Sequence, residues 1–457
     1  MINTNNKIYD LIVIGGGSGG VRAARIAALH GAKVALCEKD RMGGTCVIRG
    51  CIPKKLLFYS AQFKGLFESA SYYGWNVKKP KYNLSKMVKN KNKELVRLEG
   101  LYKKNAIKAG VEIFKGEAKF TSKSCIEINN ITLKSKNTII AVGGEPIKLG
   151  VKGREFAKDS DSIMQLKKLP RNLVIVGAGY IAIEFAFIFA SLGTKVSLVV
   201  RKKILRGFDK SLVKLIKKNL DDNKVKLYIN ENIEKVSKKS KGYNVFLKKS
   251  KGVIATDEIL VAIGRKPNIS KLGLDKVKIK CDKNQAIIVN KNLETNIKNI
   301  YAIGDVTNRI NLTPVAIAEG NALSDKLFGK VKSNIVELKN IGTAVFSSPP
   351  ICSIGLTEYE AKKKYKKLDV YESEFNSLKY SIVKKKVSTY IKLLVNAHNG
   401  LIIGGHMLGD DAPEIIQMVG VAINAKATIS NFIKTMAIHP TVSEELVTFK
   451  KPSRKYK

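Results

Sequence analysis

Cys46 and Cys51 lie five positions apart in the run Gly43-Gly-Thr-Cys-Val-Ile-Arg-Gly-Cys-Ile-Pro-Lys-Lys55. Two thiols within reach of one another can cycle between dithiol and disulfide. On a regular helix an offset of five rises about 7.5 Å and turns the side chains to different faces. A disulfide needs its Cα atoms within roughly 7 Å, so a bridge here requires a widened turn, for which Gly50 offers backbone freedom. A bond held in such a turn is easier to reduce, which suits catalysis better than stapling. Two ordinary buried thiols are the competing reading, because Cys-x4-Cys alone is less diagnostic than Cys-x-x-Cys. The other four cysteines, Cys37, Cys125, Cys281 and Cys352, lack paired spacing and histidine company, so they read as structural thiols and no metal is expected.

The elements upstream supply a place for a nucleotide beside this pair. Asp10-Leu-Ile-Val-Ile is an apolar strand running into Gly15-x-Gly17-x-x-Gly20, followed by a helix through His30 and a second strand ending at Glu38. That order, with an acid placed to bind a ribose hydroxyl, is a dinucleotide-binding fingerprint. The construction recurs: Asn172-Leu-Val-Ile-Val precedes Gly177-x-Gly179-x-x-Ala182, a helix, and a strand ending at Arg201, with Arg206 five residues on. Arginines in the acid's place suit a ribose 2′-phosphate and favour NADPH over NADH. A solvated basic turn is the alternative in so basic a chain.

A chain of 457 residues is expected to hold two to four domains. The second nucleotide fold reads as inserted in the first, because Thr138-Ile-Ile-Ala-Val-Gly-Gly-Glu-Pro and Leu260-Val-Ala-Ile-Gly-Arg-Lys-Pro-Asn are similar strand-to-turn crossings on either side of it. Asn299-Ile-Tyr-Ala-Ile-Gly-Asp305 gives another strand ending in an acid, and a helix starts at Thr313. From about Gly342 the pattern becomes α+β. The expected fold is therefore α/β: two Rossmann-like dinucleotide domains, one inserted in the other, plus a C-terminal α+β domain. The boundaries are set at 1–141 and 268–338 for the interrupted FAD domain, 142–267 for the NADPH domain and 339–457 for dimerisation.

Lys and Arg outnumber Asp and Glu by 82 to 38, a net charge of +44. Such a charge attracts nucleic acid or anionic membrane. Here the lysines are spread along the whole length without a basic, aromatic-interleaved module, so they read as solvated faces and no nucleic-acid partner is expected. The longest apolar stretch, Ile181 to Leu192, is too short to span a bilayer and is interrupted by Glu184. No membrane association, no targeting segment ahead of the first strand and a reducing cytoplasm are expected.

These fingerprints, the cysteine segment, the Gly304-Asp305 strand end and the terminal His439-Pro-Thr-Val-Ser-Glu444-Glu resemble the pyridine nucleotide-disulfide oxidoreductases over essentially the whole chain. Within that family Pro53-Lys54-Lys55, the Arg201/Arg206 pair, Arg25 and Tyr102 resemble the glutathione-reducing members of plants and bacteria, while Asn321 departs from the arginine of the animal ones. The resemblance implies one noncovalent FAD per subunit on Gly15, Gly17, Gly20, Glu38, Asp305 and Thr313. NADPH is implied at Gly177, Gly179 and Tyr180 with Arg201 and Arg206. Ser18, Thr45, Lys54, Gly304, Ile181, Glu184 and Gly264 are further cofactor contacts.

The implied substrate is glutathione disulfide, met by Ser18, Arg25, Tyr102 and His439. By the same resemblance Cys51 receives electrons beside the flavin, Cys46 attacks the substrate, and Lys54 pairs with Glu184. His439, oriented by Glu444, handles the proton, a role suited to a side chain that changes charge near neutral pH. His439 and Glu444 reach the partner's site in a homodimer. The remaining alternatives are reduction of another small disulfide, a dihydrolipoamide dehydrogenase-like flavoprotein, and a redox-responsive nucleic-acid binder.

Overall fold

The computed structural model describes residues 7–78, 80–330 and 336–457. The first unit is built on a seven-stranded sheet. Strand Ile8–Ile14 pairs in parallel with Val34–Glu38 on one side and Ile131–Ile140 on the other, and Glu112–Lys115 extends it beyond Val34–Glu38. The strands Cys125–Ile128 and Lys119–Ser122 continue the far edge antiparallel. Leu11, Ile12 and Val13 are fully buried, as expected of a parallel strand covered on both faces. Helix α1 (Ser18–Leu29) follows the first strand, α2 (Cys51–Ala70) starts at the second cysteine, and α3 (Leu84–Lys108) packs beside both.

Strand Ile131–Ile140 pairs in parallel with Ile300–Ala302, Thr138 facing Ile300. Between those two strands in sequence lies a second unit with its own parallel sheet, ordered 226–229, 195–200, 172–176, 258–261. The second dinucleotide fold is thus inserted in the first. Its entry and exit form a two-stranded ribbon, Gly144–Pro146 against Arg265–Pro267. Helix α4 (Tyr180–Ser191) carries Ile183, Phe185, Phe187, Ile188 and Phe189, all buried, so every side of it is packed, and it shares a core with Leu57, Phe58 and Ala61 of α2. Helix α5 (Lys210–Asp222) is instead amphipathic and buries Leu212, Ile216 and Leu220 at four-residue spacing.

The chain returns to the first unit through Ile300–Ala302 and α6 (Thr313–Phe328), which lies against α1; Ser324 Oγ donates to the Ala23 carbonyl at 2.8 Å. The C-terminal unit is a six-stranded antiparallel sheet ordered 343–345, 351–355, 402–408, 388–396, 368–376, 454–456, with α7 (Glu358–Lys364), α8 (Ala412–Asn424) and α9 (Ile429–Lys434). Among the described residues no helix is long and apolar enough to cross a membrane, and no cluster of three metal-ligating side chains occurs.

Candidate active site

Cys46 lies in a widened, π-helical turn, Thr45–Arg49, and Cys51 opens α2 immediately after it. Gly50 joins the two elements with φ −142°, and a Cβ there would meet the Thr45 carbonyl oxygen at 2.8 Å. Clearance, rather than a left-handed backbone, is what requires glycine at this position. The two cysteines are unlinked, as a dithiol. The Cys46 thiol is within hydrogen-bond reach of Cys51, Thr313 and Ser18, and Cys51 Sγ is 3.6 Å from Thr313 Oγ1.

The shared proton makes the two thiols unequal. Donation from Cys46 pulls the Cys51 thiol down, helped by Thr313 and the Lys54 ammonium against burial and Glu184. The same hydrogen bond, with burial, pushes Cys46 up. The pair titrates as a unit, with ionisation favoured at Cys51.

Beside the pair, Lys54 on α2 donates to Glu184 on α4 at 2.6 Å. Glu184 is 1% exposed and also accepts the Phe346 amide at 3.0 Å, and the Lys54 ammonium stands 4.2 Å from the centroid of the Phe346 ring. A buried carboxylate with both charges and hydrogen bonds matched holds a fixed cation at the cavity wall.

These groups face one cavity of about 770 Å³, a volume suited to a sizeable organic ligand. Gly15, Gly17, Glu38, Thr45, Cys46, Cys51, Lys54, Tyr180, Ile181, Glu184, Gly304, Asp305 and Thr313 all line it. Gly15 has φ +109°, and a Cβ there would lie 2.4 Å from the Ala141 carbonyl oxygen, so only glycine closes this turn. Glu38 accepts the Gly16 amide at 2.6 Å, fixing its carboxylate at the turn. Burial raises the Asp305 carboxyl, and Arg265 opposes the shift.

Of the remaining expected residues Ser18 also lines this cavity, and the others lie off it. Arg201 and Arg206 are exposed on the turn after strand Lys195–Val200, beyond the Gly177 to Tyr180 fingerprint. Arg25 and Tyr102 are half-buried; the tyrosine hydroxyl is raised by burial and by Cys46, and lowered by Arg22 and Arg25. His439 Nδ1 is 3.0 Å from Glu444 Oε2, on a turn where the imidazole is 79% exposed, and neither residue lines the cavity. Asn321 donates to Asp325 at 2.7 Å, which also takes His30 at 2.8 Å. Sequence reasoning missed Arg265, whose guanidinium donates to Thr45 Oγ1 at 3.2 Å, as well as Phe346 and Arg22. Arg265 directly follows Gly264, so the exit crossing carried its signal.

Comparison with known proteins places this geometry. Residues 9–320 match the pyridine nucleotide-disulphide oxidoreductase family and residues 341–449 its dimerisation domain. The chain is 41% identical to a glutathione reductase of Burkholderia cepacia, covering 97% of this chain and 98% of that one. It is 40% identical to the chloroplastic/mitochondrial glutathione reductase of Pisum sativum, covering 98% and 83%. The HOCl-induced flavoprotein disulfide reductase RclA of Escherichia coli superposes with a TM-score of 0.86 at 26% identity, covering 96% of this chain and 98% of that one.

Proposed function

The chain belongs to the pyridine nucleotide-disulphide oxidoreductase family, and from that membership we propose that it reduces glutathione disulfide to two glutathione at the expense of NADPH. The balance is NADPH plus H⁺ plus one disulfide giving NADP⁺ and two thiols. The observation that carries this reading is the Cys46–Cys51 dithiol facing one cavity with Thr313 and the Lys54–Glu184 pair. FAD fits that cavity, with Gly15, Gly17 and Glu38 at its nucleotide end and Lys54, Thr45 and Thr313 at the other, and when bound it carries electrons from NADPH to the Cys46–Cys51 disulfide.

The chain's own residues do the rest. Lys54, held by Glu184, offers positive charge where negative charge develops. Cys46 attacks one sulfur of the substrate and expels a glutathione thiolate, leaving a mixed disulfide. Cys51 then displaces the second glutathione and closes the protein disulfide. His439, steadied by Glu444, takes the Cys46 proton as that sulfur attacks and passes it to the departing glutathione thiolate; the second thiolate, expelled by the Cys51 thiolate, takes its proton from solvent. Arg25 and Tyr102 hold substrate, with Ser18 beside Cys46, and Arg201 and Arg206 take the 2′-phosphate of NADPH. Gly20 lets α1 pack on its strand, while Gly177, Gly179 and Gly264 shape the approach to NADPH.

Because His439 lies off the cavity of its own chain, the site is completed by a second copy, making the working unit a homodimer with two shared sites. Domain limits at 141, 267 and 338 and a cytoplasmic setting belong to the same reading. Steady-state assay of the flavin-loaded protein tests it: oxidation of NADPH by glutathione disulfide should exceed that of NADH, and lipoamide should not substitute. Preferential turnover of NADH with lipoamide would overturn it.

A further inference from the structure

We propose that Lys392 is a positioning residue for NADPH recognition, acting from the C-terminal unit through Asp209 on the loop that carries Arg201 and Arg206. The inference rests on the reading above that these two arginines take the 2′-phosphate.

Lys392 lies on strand Ser388–Asn396 and is 0% exposed. All three of its ammonium protons are used, on Asp209 Oδ1 at 2.8 Å, Ser211 Oγ at 2.9 Å and Glu358 Oε2 at 2.7 Å. Two of those partners belong to the inserted nucleotide unit and one to α7. Asp209 is the N-cap of α5, its carboxylate accepting the Ser211 amide at 3.0 Å and, with its other oxygen, the Glu358 amide at 3.0 Å. His406, directly opposite Lys392 on the neighbouring strand, is tied to Ser353 and to the Leu356 carbonyl, so the lysine stands on a rigid base.

The loop between Arg201 and Asp209 is thereby pinned at two points. Inside it the Leu205 amide donates to the Ala178 carbonyl at 2.7 Å, within the Gly177-x-Gly179 turn, and Ile204 and Leu205 are buried. At its end Asp209 is held by Lys392. Arg206 sits between the two anchors and Arg201 just before the first. Burying Lys392 with Asp209 costs more than packing apolar side chains would, so adhesion of the two units does not by itself explain the cluster. What the ionic contact adds is a single position for Asp209, and phosphate recognition by arginine depends on position to within a fraction of an ångström.

The test compares Kd values for NADP⁺ and NAD⁺ in the full-length flavin-loaded protein, with thermal stability measured in parallel. Asp209→Asn keeps one oxygen to cap the Ser211 amide and removes both the charge that Lys392 holds and the second oxygen that accepts the Glu358 amide. It is expected to weaken NADP⁺ roughly five- to tenfold and leave NAD⁺ within about twofold. Glu358→Gln takes a charge from Lys392 and from Arg454 but leaves the loop tether, so it should lower stability and leave NADP⁺ binding unchanged. Equal weakening of both nucleotides, equal effects of the two variants, or no effect of Asp209→Asn would overturn the proposal. Should Asp209→Asn fail to fold, Ser211→Ala is expected to weaken NADP⁺ roughly two- to threefold with NAD⁺ unchanged, and no change there would overturn the proposal as well. Arg201→Met with Arg206→Met checks the premise separately: if this pair leaves NADP⁺ binding intact, the 2′-phosphate reading fails and the role of Lys392 with it.

Discussion

Cys51 gives up its proton more readily than a free thiol because the Cys46 S–H donates to it, with Thr313 and Lys54 adding to the same side. A lowered value means that the thiolate persists as pH falls below the ordinary thiol value of 9.0 and is lost only on passing the lowered one. The ultraviolet thiolate absorbance of the reduced protein should therefore titrate well below 9.0, and Lys54→Met should move it upward; a single inflection near 9.0 in both proteins would contradict the assigned asymmetry. Cys46→Ser should reduce disulfide turnover at least about 10³-fold, while NADPH oxidation with a quinone acceptor continues. Normal glutathione disulfide turnover in that variant would remove Cys46 from the reaction. The cysteine pair was legible from its spacing, whereas the Lys54–Glu184 contact, found at 2.6 Å, was expected only through the family resemblance. Phe346 was not legible, because its ring meets Lys54 from a distant segment with no local pattern of its own.

The helix and strand order around both fingerprints could be read from apolar runs and glycine spacing. Strand Val34–Glu38, α1 and α6 all fall where the sequence placed them, and the Cys46–Cys51 segment is widened as a bridge would require. The role of Gly50 was only half legible. Its backbone freedom was expected, but the tight approach to the Thr45 carbonyl is a three-dimensional fact with no spacing rule behind it. Gly50→Ala should strain the cysteine turn by about 1–3 kcal/mol, lowering the urea midpoint and slowing disulfide turnover together. Unchanged stability and turnover would show that the turn relaxes without cost. Position also separates Gly15, where a positive φ and a close neighbour both require glycine, from Gly50, where the neighbour alone does.

On the scale of the whole molecule, the insertion of one nucleotide fold in another was visible as two similar crossings, and it appears as the pairing of Thr138 with Ile300 across the inserted segment. The junction between the inserted unit and the C-terminal sheet was not visible. Lys392 and Asp209 are 183 residues apart, and a lysine in a strand carries no sign that it will be buried. Placing His439 on an exposed turn away from its own chain's cavity gives the shared-site reading a direct consequence. Cys46→Ser and His439→Ala homodimers, each impaired, should regain about one quarter of full activity when subunits are exchanged, because half the dimers then hold one intact site. Absence of regain after verified exchange would place His439 outside the partner's site.

The central claim is that Cys46 is the sulfur that meets glutathione disulfide. Treating Cys51→Ser with that disulfide and mapping modified peptides by mass spectrometry tests it most directly, since the attack releases one glutathione and leaves the other bonded to Cys46 with no second thiol to expel it. One glutathionyl group per chain, located on Cys46, is the predicted result. A chain left unmodified, or modified instead at Cys37, Cys125, Cys281 or Cys352, would contradict the account.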